Sequence, residues 1–344
     1  MRILIFCLCL FLPLHGWALK VGLLLRDSSP EKEKFLRLTA ELTSRFRLEG
    51  LSYYFSTYDA RRPFKAVRQA KSEGVAVLIG PFNPGDNEKA VEAARAYGIP
   101  IILLTGDLDP LRMPDEPFRG VFRTGLSPRL AAKGILRCLA KKGFQRIGLL
   151  LSLDQYGYTG VKWLKVYAWE YRLRISKTVW FGPRDTMLFN KLEELLPMEA
   201  VVVWCGRESA LKVVREMNRY GLKIPVIFGP EIADEEFLRS HPELYGYPFP
   251  ATALYLPSQR RALEIQSLSL KISALVDALF LIKHLIAIRA YPTEKAFEEL
   301  GKIELPGGTY YLSSDDHYGL LPQSVGLFIY DLGGFRPYCA PRSL

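Results

Sequence analysis

Short polar turns follow six apolar segments of the sequence, and their residue types suit the binding of a small polar molecule. A predicted helix or a further turn follows each of them. The first backbone N–H groups of a helix have no partner inside the helix and can hold an anion or a polar group. Carboxylates in these turns would accept an ammonium, amide or hydroxyl group, and a guanidinium would hold a carboxylate through two parallel hydrogen bonds. In chain order the candidate binding residues are Arg26 and Asp27, then Phe82, Asn83 and Gly85, then Thr105, Gly106 and Asp107, then Tyr156, then Gly206 and Arg207, and last Glu231.

The same carboxylates would also suit general acid–base catalysis. Nothing else in the sequence supports an enzyme, because it contains no Gly-x-Ser-x-Gly nucleophile turn and no Gly-x-x-x-x-Gly-Lys phosphate loop. The four histidines are scattered, and no Cys-x-x-Cys or His-x-x-x-His pair offers metal ligands. We therefore expect a protein that is not an enzyme and that has no metal and no cofactor.

The segments before the turns are predicted strands, and helices with amphipathic spacing follow them. The strands are rich in Val, Ile and Leu with little alternation, which is typical of a parallel sheet buried on both faces. Because ligands bind beyond the carboxyl ends of such strands, the polar turns lie where a site is expected. A Pro- and Asp-rich stretch over 105–118 separates two series, which predicts an α/β fold of two doubly wound lobes. The first series includes 20–25, 75–80 and 99–104, and the second includes 146–151, 200–205 and 224–229.

The pattern is less regular after residue 240. The stretch 241–258 is rich in Pro and Tyr and has no clear periodicity, and a long apolar helix is predicted over 272–290. Asp277, Lys283 and His284 interrupt that helix, so we expect it to pack in a core and not to span a membrane. The last forty residues predict strands joined by glycine turns.

Residues 1–18 have the pattern of a secretory signal peptide. Arg2 gives the positive end, an apolar run follows to Leu14, and small residues precede a cleavage point after Ala18. An uncleaved anchor is the alternative, although about twelve apolar residues are fewer than the roughly 20 that a spanning helix needs. We expect a periplasmic or otherwise extracytoplasmic protein.

Cysteine content and charge set further limits. Beyond the signal segment the chain has three cysteines, Cys138, Cys205 and Cys339, which allow at most one disulfide. The formal net charge is +10, from 46 basic and 36 acidic residues. In stretches such as SPEKEKFLRL and RESALKVVREMNR the basic residues alternate with acids, so we expect solvated helix faces and no nucleic-acid partner.

Five sequence motifs, taken in order, resemble those of type I periplasmic solute-binding proteins of the branched-chain amino-acid-binding kind. The resemblance covers most of 19–240 and the last forty residues. The motifs are DARRPFKAVRQAKSEGVAVLIGP (59–81), AVEAARAYGIPII (90–102), DQYGYTGVKWL (154–164), RYGLKIPVIFG (219–229) and GGTYYLSSDD (307–316).

The resemblance implies two lobes that are joined by three crossing segments and close like a hinge on a small solute. The N-terminal lobe would comprise 19–124 and 251–318, and the C-terminal lobe 125–250 and 319–344. It also implies a monomer that delivers its solute to an ABC permease in the inner membrane. The solute would be an amino acid or an amide-like molecule.

The ligand contacts implied by the resemblance carry over only in part. Tyr156 matches the aromatic residue that covers the ligand, Glu231 the acid that receives an ammonium group, and Arg207 lies in another ligand-facing turn. Pro84 replaces the serine that would hold a ligand carboxylate, and Pro offers neither a hydroxyl nor an N–H. Leu108 takes the place of a threonine, beside an aspartate pair that would repel a carboxylate. These departures leave open an alternative, an envelope ligand-sensing or scaffold protein of the same fold that regulates a partner without transport.

Overall fold

A computed structural model describes residues 18–26, 31–48, 52–106, 120–182, 184–185 and 187–341. The first of its sheets is parallel throughout and has the strand order β2-β1-β3-β4-β5. Its middle strands β3 and β4 are completely apolar and β1 is apolar from Val21 onward, with Leu23 of β1 beside Ile79 of β3. This burial on both faces explains the unbroken runs of Val, Ile and Leu. The strands are β1 (Ala18–Leu25), β2 (Ser52–Asp59), β3 (Val77–Ile79), β4 (Ile101–Leu103) and β5 (Val121–Arg123).

The second sheet is also parallel, with the order β7-β6-β8-β9. Its core includes Trp204, which is completely buried at the end of its strand. Together the two sheets confirm the predicted fold class of two doubly wound parallel sheets. The strands of the second sheet are β6 (Arg146–Ser152), β7 (Arg174–Phe181), β8 (Ala200–Trp204) and β9 (Val226–Phe228).

Among the described residues, helices connect β1 to β2, β2 to β3 and β3 to β4 in the first sheet and all successive strands of the second. Ser127 and Asp154 cap two of them, since each side chain accepts a hydrogen bond from an N–H in the first turn. Gly98 ends α3 with a φ of +62°, a conformation that favours glycine. The helices are α1 (Lys32–Leu48), α2 (Pro63–Ser72), α3 (Asn87–Tyr97), α4 (Pro128–Lys141), α5 (Gln155–Ala168), α6 (Phe189–Glu193) and α7 (Arg207–Arg219).

The segment after residue 230 contains the long apolar helix and the predicted C-terminal strands. Its strands are β10 (Phe249–Thr252), β11 (Gly301–Leu305), β12 (Gly308–Leu312), β13 (Val325–Asp331) and β14 (Gly334–Cys339). They form an antiparallel sheet of order β10-β13-β14 and a hairpin of β11 and β12. The helices are α8 (Glu235–Ser240), α9 (Pro257–Leu263), α10 (Leu270–Ala287) and α11 (Glu294–Glu298).

A buried polar cluster joins α10 to the connection that follows β5. Asp277 is completely buried on α10 and accepts hydrogen bonds from the Gly307 N–H at 2.7 Å and from the Tyr310 hydroxyl at 2.7 Å. The same hydroxyl lies 3.2 Å from the carbonyl of Thr124, whose own hydroxyl donates to the carbonyl of Ala274 at 2.7 Å. Burial raises the pKa of Asp277 to about 7.

Cys138 on α4 and Cys339 on β14 form a disulfide, and Cys205 is a buried free thiol. Burial raises the pKa of the Cys205 thiol, so this cysteine is held in its unreactive neutral form. Within the described ranges, no helix has both the length and the apolar character needed to cross a membrane. Residues 1–17 of the expected signal peptide lie outside the described residues, and its cleavage and the lobe boundaries stay predictions.

Candidate functional site

A cavity of about 280 Å³ lies between the carboxyl ends of the two parallel sheets. Five of the six strand ends singled out from the sequence contribute to its wall, through Pro84, Thr105, Tyr156, Arg207 and Glu231. Most of the remaining wall is apolar and comes from Leu104, Leu126, Pro128, Pro230, Ala233 and Leu270. The cavity is slightly smaller than the range of about 300–1,000 Å³ that is usual for ligand pockets, so it suits a small solute.

Thr105, at the end of β4, is the hydroxyl that the first sheet contributes to the cavity. Its side chain is 8% exposed, and its Oγ1 accepts a hydrogen bond of 2.6 Å from the side-chain amide of Asn87. Asn87 is the first residue of α3 and is also buried. Since Asn87 donates to this oxygen, the Thr105 hydroxyl keeps its own proton for donation to another group.

The turn after β3 reaches the cavity through Pro84, which begins a short 3-10 turn over Pro84–Asp86. The Gly80–Pro81 peptide bond before it is cis, and Gly80 has a φ of +113°, where a Cβ would lie 2.8 Å from the Leu24 carbonyl oxygen. Arg26 at the end of β1 holds the far side of the turn, because its guanidinium donates to both carboxylate oxygens of Asp86 at 2.7 Å. Arg26 therefore positions the turn and does not line the cavity.

Tyr156 covers the cavity from the first turn of α5. Its ring lies 5.7 Å, between centroids, from the ring of Trp204 at the end of β8. Two glycines make room for this pair: a Cβ at Gly160 would lie 2.4 Å from the Trp204 ring, and one at Gly229 would lie 3.2 Å from it. The sequence Tyr-Gly-Tyr-Thr-Gly at the start of α5 thus allows the Tyr156 ring, which lines the cavity, to pack near the buried Trp204 ring.

Arg207 and Glu231 form the charged part of the wall in the second lobe. The Arg207 guanidinium donates to the backbone carbonyl of Glu231 at 2.9 Å and pairs with the Asp234 carboxylate at 3.1 Å. These contacts occupy two of its donors, so it is only partly available for a ligand carboxylate. Within the described part of the chain the Glu231 carboxylate has no cationic partner, although it is exposed at the cavity wall.

Three polar residues of the wall were missed by the sequence reasoning. Glu31 and Lys271 form an ion pair at 3.0 Å, and Ser269 caps α10 through a hydrogen bond from the Ile272 N–H at 3.3 Å. The pattern Ser-Leu-Lys before an apolar helix is a capping signal that identifies Ser269 as a helix start. Among the described residues, this ion pair and the Arg207–Asp234 pair are each balanced, and Glu231 adds one negative charge to the wall.

Comparisons with known proteins agree with this architecture. The model of the receptor family ligand binding region matches residues 30–227, which is more than half of the chain. The chain belongs to this family. Its fold is that of the type I periplasmic binding proteins, which confirms the family that the sequence motifs resemble.

Solved structures with the same fold are similar to this chain at low sequence identity. A periplasmic binding protein type 1 from Bordetella pertussis has a TM-score of 0.71 and 15% identity, over 94% of this chain and 100% of that one. An ABC transporter substrate-binding protein from Desulfitobacterium hafniense in complex with Leu has a TM-score of 0.72 and 16% identity, over 93% and 99%. A solute-binding protein from R. palustris in complex with benzoate has a TM-score of 0.64 and 18% identity, over 94% and 97%. No curated protein matches the chain in sequence.

Four of the other predicted site residues, Phe82, Asn83, Gly85 and Gly206, do not line the cavity. Phe82 is 4% exposed and packs its ring 4.1 Å from that of Phe35 in the core. Asn83 and Gly85 lie on either side of Pro84 in the turn, and Gly206 precedes Arg207 at the start of α7. Gly106 does line the cavity, next to Thr105. Asp27 and Asp107 lie outside the described residues, and the roles of all these residues in ligand binding stay predictions.

A separate group of metal-ligand type lies outside the cavity. Glu294, Glu298 and His317 bring their potential ligand atoms within 4.8 Å of one another. His317 is buried, with Nε2 at 2.9 Å from the Glu298 carboxylate and Nδ1 at 3.2 Å from the Val121 carbonyl. In these positions His317 links α11 to β5, which is a sufficient structural role. Sequence spacing did not indicate this group, since its members are brought together only by the fold.

Proposed function

We propose that the chain is an exported solute-binding protein that captures an amino acid or amide-like solute between its lobes and delivers it to an ABC importer of the inner membrane. The observation that supports this best is the shared cavity, in which Thr105 of one lobe faces Tyr156 and Glu231 of the other. A solute touching both walls favours closure because the closed state alone makes both sets of contacts.

The charge of the wall indicates the kind of solute. An ammonium or amide N–H group would pair with the free carboxylate of Glu231, and the Thr105 hydroxyl would donate to a carbonyl or carboxylate oxygen. The apolar part of the wall would enclose a short hydrocarbon group. Leucine and benzoate are the ligands of two similar proteins, and both combine a carboxylate with a compact apolar group.

The second candidate is an envelope ligand-sensing or scaffold protein of the same fold. Pro84 favours it, because the turn after β3 presents no N–H at that residue and no hydroxyl to a ligand carboxylate. Such a protein would change shape on binding and contact a partner protein instead of a permease. Gene neighbours that encode a permease and an ATPase would support transport, and a neighbouring receptor or cell-wall synthase would support sensing.

A thermal-shift screen of the chain from Leu19 onward, with amino acids, amides, polyamines and small acids, tests solute capture. A ligand at about 100 times its Kd should stabilise the folded protein by about 2.7 kcal/mol. For the ligand found, Glu231→Gln should weaken binding by tenfold or more, since it removes a charge-assisted hydrogen bond of about 1.5–3 kcal/mol.

Glu208→Gln is the matched control, because Glu208 is an exposed acid in the first turn of α7 that does not line the cavity. It should leave the affinity unchanged. Absence of any thermal shift across the screen would argue against capture, and equal losses in the two variants would remove Glu231 from the site.

A further inference from the structure

Positive charge is concentrated in one segment of the chain. Residues 128–177 contain eleven Lys or Arg residues and only two acids, a net charge of +9, compared with +10 for the whole chain. The alternation of acids and bases that holds in α1 and α7 is therefore absent here. An imbalance of this size produces a directed electrostatic field and not only a solvated surface.

The fold places this charge on one side of the second lobe. Helices α4 and α5 pack against each other, and β7 is the edge strand next to β6. Both helices begin at the cavity, through Pro128 and Tyr156, and run away from it. The starts of the parallel strands lie at that same remote end, so the ends of α4 and α5 meet the starts of β6 and β7 far from the cavity.

Five basic side chains at this remote end are exposed and have no acidic partner among the residues that the structure describes: Lys141, Lys142, Lys165, Arg172 and Arg174. We call this set the basic face. Other basic side chains of the segment 128–177 are paired with acids, as in Lys133–Glu170 at 3.6 Å and Lys177–Glu194 at 2.6 Å. The ammonium group of Lys142 lies 4.0 Å from the centre of the Tyr338 ring.

Trp169 lies beside Lys165 of the basic face. Its side chain is 78% exposed, whereas Trp163 and Trp204 are buried and Trp180 is half-buried. Trp169 and Lys165 border a shallow depression of about 420 Å³ between the end of α5 and the edge strand β7. An exposed indole flanked by basic side chains is typical of surfaces that rest in the headgroup layer of a bilayer, where the ring is amphipathic and the cations contact anionic lipids.

We propose that the basic face docks the protein on an anionic lipid bilayer, with Trp169 entering the headgroup layer. The cavity then lies at the opposite end of the lobe and stays open to solution. Charge complementarity decides the occupant, because the face offers five cations that have no acidic partner among the described residues.

The test is co-sedimentation of the chain from Leu19 onward with phosphatidylcholine vesicles that either contain or lack phosphatidylglycerol. We expect binding only to the anionic vesicles, with a shift of tryptophan fluorescence to shorter wavelength. Each basic residue near such a surface contributes about a fivefold factor in affinity. The triple variant Lys165→Gln, Arg172→Gln, Arg174→Gln should therefore bind about 100-fold more weakly, and Trp169→Phe should abolish the fluorescence shift while much of the binding remains.

The matched control is Lys65→Gln, Arg68→Gln, Lys89→Gln, which removes the same charge from exposed positions of α2 and α3. It should bind nearly as the unchanged chain does. Equal losses in the two triple variants would overturn the proposal, because net charge alone would then explain binding. Absence of binding at low salt would also overturn it, as would binding to a soluble polyanion such as polyglutamate in preference to the vesicles.

Discussion

Asp277 is completely buried on α10, and from this burial we predict that the folded protein loses stability as the pH rises. Burial raises its pKa from 3.8 to about 7, although hydrogen bonds from Tyr310 and Gly307 act in the opposite direction. Because the unfolded chain restores the ordinary pKa, the folded protein binds more protons than the unfolded chain between about pH 4 and pH 7. The free energy of unfolding should therefore decrease as pH rises through this window, and the contribution of Asp277 should be constant above it.

The magnitude follows from the shift of about three pKa units, each worth about 1.36 kcal/mol, so that ionising Asp277 costs the folded state about 4 kcal/mol. Asp277→Asn removes this cost with little change of shape. Its amide oxygen can accept from the Gly307 N–H, and its amide nitrogen can donate to the Tyr310 hydroxyl, which then turns its proton to the Thr124 carbonyl 3.2 Å away.

Urea unfolding of both proteins at several pH values from about 4 to about 8 tests this reasoning. We expect the variant to be no more stable than the unchanged chain at the acid end and to gain up to about 4 kcal/mol relative to it at the alkaline end. Asp315→Asn, at an exposed position, should show no such gain. A stability difference between Asp277→Asn and the unchanged chain that stays constant across this pH range would refute the burial argument.

Two further predictions concern packing and the disulfide. Gly160→Ala would place a methyl group 2.4 Å from the Trp204 ring, so it should lower the free energy of unfolding by about 1–3 kcal/mol and weaken solute binding. Gly182→Ala is the control, because a Cβ at Gly182 would have no atom within 4 Å, and chemical unfolding and a binding titration should show neither effect for it. Cys339→Ser should lower the free energy of unfolding by about 2–5 kcal/mol, because it opens a cross-link between residues 201 positions apart. The unchanged chain, unfolded under reducing conditions, should be as stable as the variant. A variant as stable as the unchanged chain under oxidising conditions would contradict this prediction.

The parallel sheets were predictable because their strands are marked locally. The runs at 20–25, 146–151 and 200–205 are buried on both faces, so their composition alone identifies them. The strand β10 was not predictable in this way. It contains Pro250 and pairs with β13, where Phe249 lies opposite Phe328, and such a partner from a distant part of the chain leaves no local pattern.

The candidate site was predictable to the same extent and for the same reason. Thr105, Tyr156 and Glu231 follow strands directly, and the geometry of a parallel sheet brings strand ends to one edge. The ion pair of Glu31 and Lys271 joins residues 240 positions apart, and nothing near either residue indicates the other.

The turn after β3 differs from the pattern that the resemblance in sequence motifs led us to expect. Pro84 cannot hold a ligand carboxylate through an N–H or a hydroxyl, and the Arg26–Asp86 pair fixes the turn in place. Our proposal for the solute then assigns the polar contact of the first lobe to Thr105, which Asn87 orients. By the expected lobe bounds the first lobe would also contribute the Glu31–Lys271 pair, and the second lobe would contribute the Glu231 carboxylate, which would select for an ammonium or amide group. Closure of the two lobes would then depend on how well the hydrocarbon part of the solute packs against Leu104 and Leu126 of the cavity wall.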